Sequence, residues 1–335
     1  YTGSDADIAT DPNRGTRNQY YLNLAKEAAL KVINESSFEL MEHYKDLFIY
    51  ENNNCKEAMF QFQWLTGSTQ TMPWGSTQPL QTFFAWSSMI TDGQAWGGAT
   101  YASWDLVRTY DPEDVLRRHA TICVYGASYP ELNKEGGGYI FGVTEGGDDY
   151  KQRCNIKKYV IGTIKDNGVS YQQSNGLNTH MLRLAEVYLN LAEAVLGNNS
   201  STADATALTY FNKVRTRADM SEKESITYND IQYERRIELA MEGQYWYDLL
   251  RRGYYKQQEV IDFLNSQDRN AGYEYDENVP ELYKLRSEAT GVFPASARHL
   301  LLPISDTDQG TNPLLGGNPV AYEFTEDKIT DVYTN

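Results

Sequence analysis

Met181-Leu-Arg-Leu-Ala-Glu-Val-Tyr-Leu-Asn-Leu-Ala-Glu-Ala-Val-Leu196 is the stretch that decides the fold class. Leu182, Ala185, Leu189, Ala192 and Leu196 recur at steps of three and four, which gives one apolar helix face. Gly197-Asn-Asn-Ser-Ser-Thr stops that helix, and Ala207, Leu208, Phe211, Val214 and Ala218 draw the matching stripe of a partner. Helices are therefore expected from Thr179 onward, and two amphipathic helices joined by a short polar loop form a hairpin, the unit of helical repeats. Downstream, a third long helix is expected over 228–252, closed by Gly253 after two cations. Upstream, 17–35 carries Tyr21, Leu24, Ala25, Ala28 and Val32 on one face, and Phe38, Met41, Tyr44 and Phe48 suggest a second helix completing another hairpin.

Between these helical ends the character changes. Over 51–176 helical periodicity fades into Gly, Thr, Ser, Asn and aromatics, with candidate short strands at 58–65 and 120–125 and turn-rich loops at 136–139 and 145–149. The chain accordingly divides into a helical hairpin over 1–50, a loop-rich lobe over 51–176, and C-terminal hairpins with an extended tail over 177–335. Five of the six tryptophans, Trp64, Trp74, Trp86, Trp96 and Trp104, fall in the loop-rich lobe. Loops on a rigid scaffold are where binding groups concentrate. Sugar rings present apolar C–H faces that pack on indole and phenol planes, while their hydroxyls need Asp, Asn or Gln partners. Trp74, Trp86, Asp92, Gln94, Trp96 and Tyr101 supply both kinds of group and are the candidate ligand-binding residues.

Composition excludes several function classes. The 335 residues carry 30 Lys and Arg against 46 Asp and Glu, and the resulting net charge of −16 repels phosphate backbones, so nucleic acid is not an expected partner. The same charge suits a neutral glycan or a basic peptide better than a polyanion. No stretch approaches the roughly 18 consecutive apolar residues of a membrane span. Cys55, Cys123 and Cys154 are too few for a disulfide framework, and His43, His119, His180 and His299 show no zinc-ligand spacing. The phosphate-binding, dinucleotide-binding and nucleophile-elbow glycine motifs are all missing, and the acidic loops lack the comb of a calcium site, so no cofactor or metal is expected. Glu234, Glu238 and Glu242 stack at steps of four, and Glu186 and Glu193 flank an apolar stripe. Paired carboxylates are what a glycosidase needs. With Arg183, Arg215, Arg217, Arg235, Arg251 and Arg252 at hand, a structural Arg/Glu network is the better account.

Taken together, Met181 to Ala194, Phe211-Asn-Lys-Val-Arg-Thr-Arg-Ala, and Tyr233-Glu-Arg-Arg-Ile-Glu-Leu-Ala-Met-Glu-Gly-Gln-Tyr-Trp-Tyr-Asp-Leu-Leu-Arg-Arg-Gly resemble the RagB/SusD family of outer-membrane nutrient-binding lipoproteins. Cys154-Asn-Ile-Lys-Lys-Tyr-Val and the closing Leu301-Leu-Pro-Ile, Asn312-Pro-Leu-Leu and Asn318-Pro are similar to the same family's blocks. The resemblance implies a mainly α fold. Tetratricopeptide-like hairpins in a right-handed superhelix would pack against an irregular, loop-rich lobe with short strands. It also implies a non-enzymatic protein on the outer face of the outer membrane, a hinged lid that delivers oligosaccharides to a SusC-like TonB-dependent transporter. Some members of such a family capture peptides instead. Because the chain opens at Tyr1-Thr-Gly-Ser-Asp, the N-terminal part with its lipid anchor is expected to lie outside it. A helical glycoside hydrolase and a pure protein-interaction scaffold are the rival readings.

Overall fold

The computed structural model of the chain describes residues 12–65, 78–86, 89–90, 98–144, 146, 148–170, 175–267, 272–287, 294–302 and 304–316. They cluster into two compact units, one from residues within Ala25–Tyr245 and Asp268–Val292, the other from residues within Tyr1–Leu24, Trp246–Gln267 and Phe293–Asn335. In chain order the longer elements are α1 (Gln19–Glu35), β1 (Ala58–Phe62), α2 (Val115–Thr121), β2 (Thr179–Arg183), α3 (Leu184–Leu196), α4 (Ala205–Arg217), α5 (Tyr228–Glu238), α6 (Tyr245–Gly253), α7 (Gln257–Ser266), β3 (Gly272–Tyr275) and β4 (Tyr283–Ser287).

In the larger unit α3 is central, with eleven of its thirteen residues buried, as a helix apolar on nearly every side must be. Helix α4 packs on it, joined by a linker that Asp204 ends as a cap, its Oδ1 accepting from the N–H groups of Thr206 (2.9 Å) and Ala207 (3.1 Å). Helix α5 packs on both and starts with a Thr227/Asp230 capping box. Leu189, Leu191, Ala192, Phe211, Val214 and Ile231 close this core, joined by Ala29 of α1. A second core, drawn largely from residues within 84–177, is unusually phenolic, with Tyr44, Tyr110, Tyr129, Tyr139, Tyr159, Tyr273 and Tyr283 all buried. Where strands are short, side chains must satisfy the backbone. Tyr273 Oη donates to Ala102 O (2.7 Å), and Gln81 Nε2 donates to Gly162 O (2.8 Å) while its Oε1 accepts from Ile161 N (2.8 Å).

The smaller unit holds the rest of α6 together with α7, whose Val260 and Leu264 are buried. Its N-terminal segment is stitched down by Gly15 N to Tyr255 O (2.8 Å), with Arg17 over the Tyr255 ring.

Four expectations about elements need correction. Residues 179–183 are strand β2, not helix, pairing antiparallel with β1, and α3 begins only where Leu184 N donates to Glu57 O (3.1 Å). The second upstream helix does not form: Glu39 N donates to Lys56 O (2.9 Å) and Met41 N to the Glu57 carboxylate (2.8 Å), which holds 37–42 out of a helix, and only a 3-10 turn forms at Tyr44–Phe48. The run 120–125 is the end of α2 followed by a single bridge from Ile122 to Ile156. The long helix over 228–252 is broken between α5 and α6, with Met241 and Gly243 at φ of 64° and 81°. Side chains take the carbonyls that would carry it on: Glu238 O accepts from Tyr44 Oη (2.8 Å) and Arg183 Nη2 (2.7 Å), and Ala240 O accepts from Lys158 Nζ (2.6 Å).

That break turns Glu242 into a buried network. Arg183 Nη1 meets Glu57 (2.9 Å) and Glu238 (2.5 Å), and its Nε meets Glu242 (2.8 Å). Arg117 joins Asp114 (2.5 Å), Glu234 (2.5 Å) and Glu238 (3.3 Å), Arg215 joins Glu234 (2.9 Å), and Arg217 joins Glu57 (2.5 Å) and Glu238. Lys158 Nζ spends its three donors on Glu242 (2.6 Å), Tyr44 Oη (2.9 Å) and Ala240 O. Burial works to raise the carboxyl of Glu242, but Arg183 and Lys158 outweigh it and hold it at about 2. Glu238, likewise buried, is held well below the carboxylate range by Arg217, Arg183 and Arg117. Burial pushes Lys158 down to about 8 against the pull of Glu242.

Replacing Arg183 with Met leaves three buried carboxylates short of a partner and is expected to cost about 3–5 kcal/mol in chemical denaturation; a loss of only ~1 kcal/mol would match a surface pair and contradict the network. Both glutamates have folded values below the 4.5 of the free side chain, so their stabilisation is complete above 4.5 and is lost as pH falls toward the folded value, about 2 for Glu242 and lower still for Glu238. The thermal unfolding midpoint should fall steeply across that window, more steeply than in Glu242→Gln.

Candidate functional site

Of the six candidate binding residues, Trp86 and Tyr101 are described; Trp74, Asp92, Gln94 and Trp96 lie outside the described residues. Three chain segments, 83–86, 98–102 and 153–155, are laced side by side. Gly98 N donates to Ala85 O (3.1 Å), Thr100 N to Phe83 O (3.1 Å) and Ala102 N to Cys154 O (2.8 Å), while Tyr101 bridges to Asn155, whose Nδ2 reaches Phe84 O (3.3 Å). The crossing is so close that a Cβ on Gly98 would lie 2.3 Å from Asn155 Nδ2 and 2.6 Å from Trp86 Cε3, and its φ of +65° itself favours glycine.

This lacing brings Trp86 and Tyr101 to one guanidinium. Arg153 Cζ lies 5.1 Å from the Trp86 ring centroid and 5.8 Å from that of Tyr101, within cation–π range of both. Trp86 is half-buried, with Tyr150 edge-on at 5.1 Å, so much of its ring serves packing. Tyr101 is 53% exposed and offers the open surface. Trp104, by contrast, stacks on buried Tyr273 (5.9 Å, 29°) and packs against the phenolic core.

A second aromatic face was missed in the sequence. Phe60 and Phe62 are 57% and 49% exposed and form a row with Trp64 along and just beyond β1, ring centroids 6.1 and 6.3 Å apart. Amides flank it: Gln63 Nε2 donates to Asn54 Oδ1 (2.6 Å), Asn178 Nδ2 donates to Gln63 Oε1 (3.0 Å), and Trp64 Nε1 donates to Thr179 Oγ1 (2.9 Å). The available signal was the period of two, because aromatics at 60, 62 and 64 in a strand share one face. Large apolar side chains exposed in a row, rimmed by amides, mark a contact surface.

The paired carboxylates serve structure. Glu186 is bound to Arg235 (3.2 Å), Glu193 accepts from Gln232 Nε2 (3.4 Å), and Glu234, Glu238 and Glu242 belong to the buried network. Arg251 and Arg252 stand outside it, pairing with Asp248 and Glu259.

The SusD family model matches residues 34–320. The chain belongs to the SusD family. A SusD-like protein from Bacteroides ovatus is 34% identical over 94% of this chain, of which the chain spans 59%. A crystal structure described as containing a xylogluco-oligosaccharide superposes with a TM-score of 0.81 at 34% identity, covering 96% of this chain and 65% of that one. Surface glycan-binding protein A from Bacteroides thetaiotaomicron shares the fold at a TM-score of 0.59 and 20% identity, over 91% of this chain and 60% of its own. The chain thus spans about three fifths of the length of these relatives. The mainly helical architecture implied by the resemblance is the one observed, and its solved neighbours are SusD-like.

Gly98→Ala is expected to destabilise the protein by about 1–3 kcal/mol through overpacking and to change the near-UV circular dichroism of Trp86. Unchanged stability and spectrum would show that the three segments are not in the contact described.

Proposed function

We propose that this SusD-family chain captures glycans at the cell surface and delivers them, as a hinged lid, to a SusC-like TonB-dependent transporter, held at the outer membrane by a lipid at the protein's N-terminus. The observation that carries the reading is the bound xylogluco-oligosaccharide in a relative 34% identical over 96% of this chain. The exposed aromatic faces supply the matching chemistry here. The ligand lobe is assigned to 51–176 on a scaffold of hairpins from 1–50 and 177–335. Within it Trp74, Trp86, Asp92, Gln94, Trp96 and Tyr101 are the proposed ligand-binding residues, joined by the row Phe60, Phe62 and Trp64. Capture is by stacking and a few hydrogen bonds, without turnover, a reading supported by the commitment of Glu186, Glu193, Glu234, Glu238 and Glu242 to cations and an amide. The net charge of −16 favours a neutral glycan.

Titration with a xylogluco-oligosaccharide, followed by Trp fluorescence, is expected to give a saturable response with the sugar recovered intact. Tyr101→Ala and Trp64→Ala should each weaken binding by roughly tenfold, the scale of one lost stacking contact. A response to mixed peptides alone would move the protein to peptide capture, and hydrolysed sugar would make it an enzyme.

A further inference from the structure

Arg153 differs from the arginines of the buried network in where its guanidinium goes. Acidic residues outnumber basic ones by 46 to 30, so carboxylates are plentiful partners for the buried arginines. Arg117, Arg183, Arg215, Arg217, Arg235 and Arg236 all pair with one. Arg153 makes no hydrogen bond and no ion pair among the described residues; its contacts are the two rings, Trp86 and Tyr101. Its backbone is nevertheless fixed, since the next residue is tied at both ends, Cys154 N donating to Tyr273 Oη (2.9 Å) and Cys154 O accepting from Ala102 N (2.8 Å). A half-buried guanidinium is thus held beside an exposed phenol ring with its N–H donors unspent.

That is the group a stacking surface lacks. Aromatic faces bind the C–H side of a sugar without fixing which hydroxyl points where, and selectivity among sugars comes from polar groups placed to meet those hydroxyls. Resting on the glycan-binding reading above, we propose that Arg153 is the specificity-determining residue of this site: its planar fork donates to two adjacent hydroxyl oxygens of a neutral sugar stacked at Tyr101. The rings hold the guanidinium in place before the ligand arrives, so little freedom is lost on binding. A ligand rich in carboxylates would also suit the fork, but the field of the whole chain opposes it.

The test is calorimetric titration of wild type, Arg153→Ala, Arg153→Lys and Tyr101→Ala with a xylogluco-oligosaccharide and with an oligogalacturonate of similar length. Wild type is expected to prefer the neutral sugar, with an affinity that does not change with salt. Arg153→Ala should lose roughly tenfold to a hundredfold while keeping the wild-type unfolding temperature, and Arg153→Lys should not restore binding, because a point cation lacks the fork. Arg153→Ala binding like wild type while Tyr101→Ala does not would overturn the role of Arg153 and leave the platform standing. Full recovery in Arg153→Lys would overturn the fork, and preference for the oligogalacturonate would overturn the neutral class. No binding of either sugar by wild type would reject the glycan reading and this proposal with it.

Discussion

Five buried cations, Arg117, Lys158, Arg183, Arg215 and Arg217, face five buried carboxylates, Glu57, Asp114, Glu234, Glu238 and Glu242, and the rest of the larger unit is arranged around them. The members come from the lead into β1, α2 with the residue before it, the segment after Cys154, the end of β2, α4, α5 and the turn after α5. Taking so many charges from water is costly, and pairing them recovers little net stability, whereas removing one partner strands the others. The network's contribution is therefore to arrangement: it ties α4, α5 and β2 to α2, Glu57 and Lys158.

The stretch 51–176 depends on that arrangement because its described residues carry little regular structure of their own. Its phenolic core and its side-chain amides do what sheet ladders do elsewhere, tying carbonyls and N–H groups that would otherwise be buried unpaired. The many tyrosines thus divide in two. Most of those described in 51–176 are structural, and Tyr101 is left at the surface beside Arg153 and the crossing at Gly98. The aromatic row of β1 reaches the surface for a different reason: the strand pairs with β2 along one edge and turns Phe60 and Phe62 outward.

The α3/α4 hairpin was legible in the sequence because its stripes have the helical period and Gly197 opens a polar stop between them. The ion network was legible in part. Glu234, Glu238 and Glu242 announced that cations must answer them, and Arg183, Arg215 and Arg217 do so. Arg117, Lys158, Glu57 and Asp114 come from segments too distant in sequence for spacing to reveal. The same distance hid the break after Glu238, where long-range donors from Tyr44, Lys158 and Arg183 take the helix's carbonyls, and it hid the non-helical course of 37–42, set by Lys56 and Glu57. At the site, the residue types near Trp86 and Tyr101 pointed to stacking, but the meeting of both rings on Arg153 rests on pairing between 98–102 and 153–155.

The most direct test of a rigid, charge-locked scaffold presenting aromatic faces is amide hydrogen exchange with and without a xylogluco-oligosaccharide. The account predicts slowest exchange in α3, α4 and α5 whether or not sugar is present, with ligand-induced protection confined to β1, to 74–102 and to the segment around 153–155. Protection appearing instead across α3 and α4, with those segments unchanged, would contradict it.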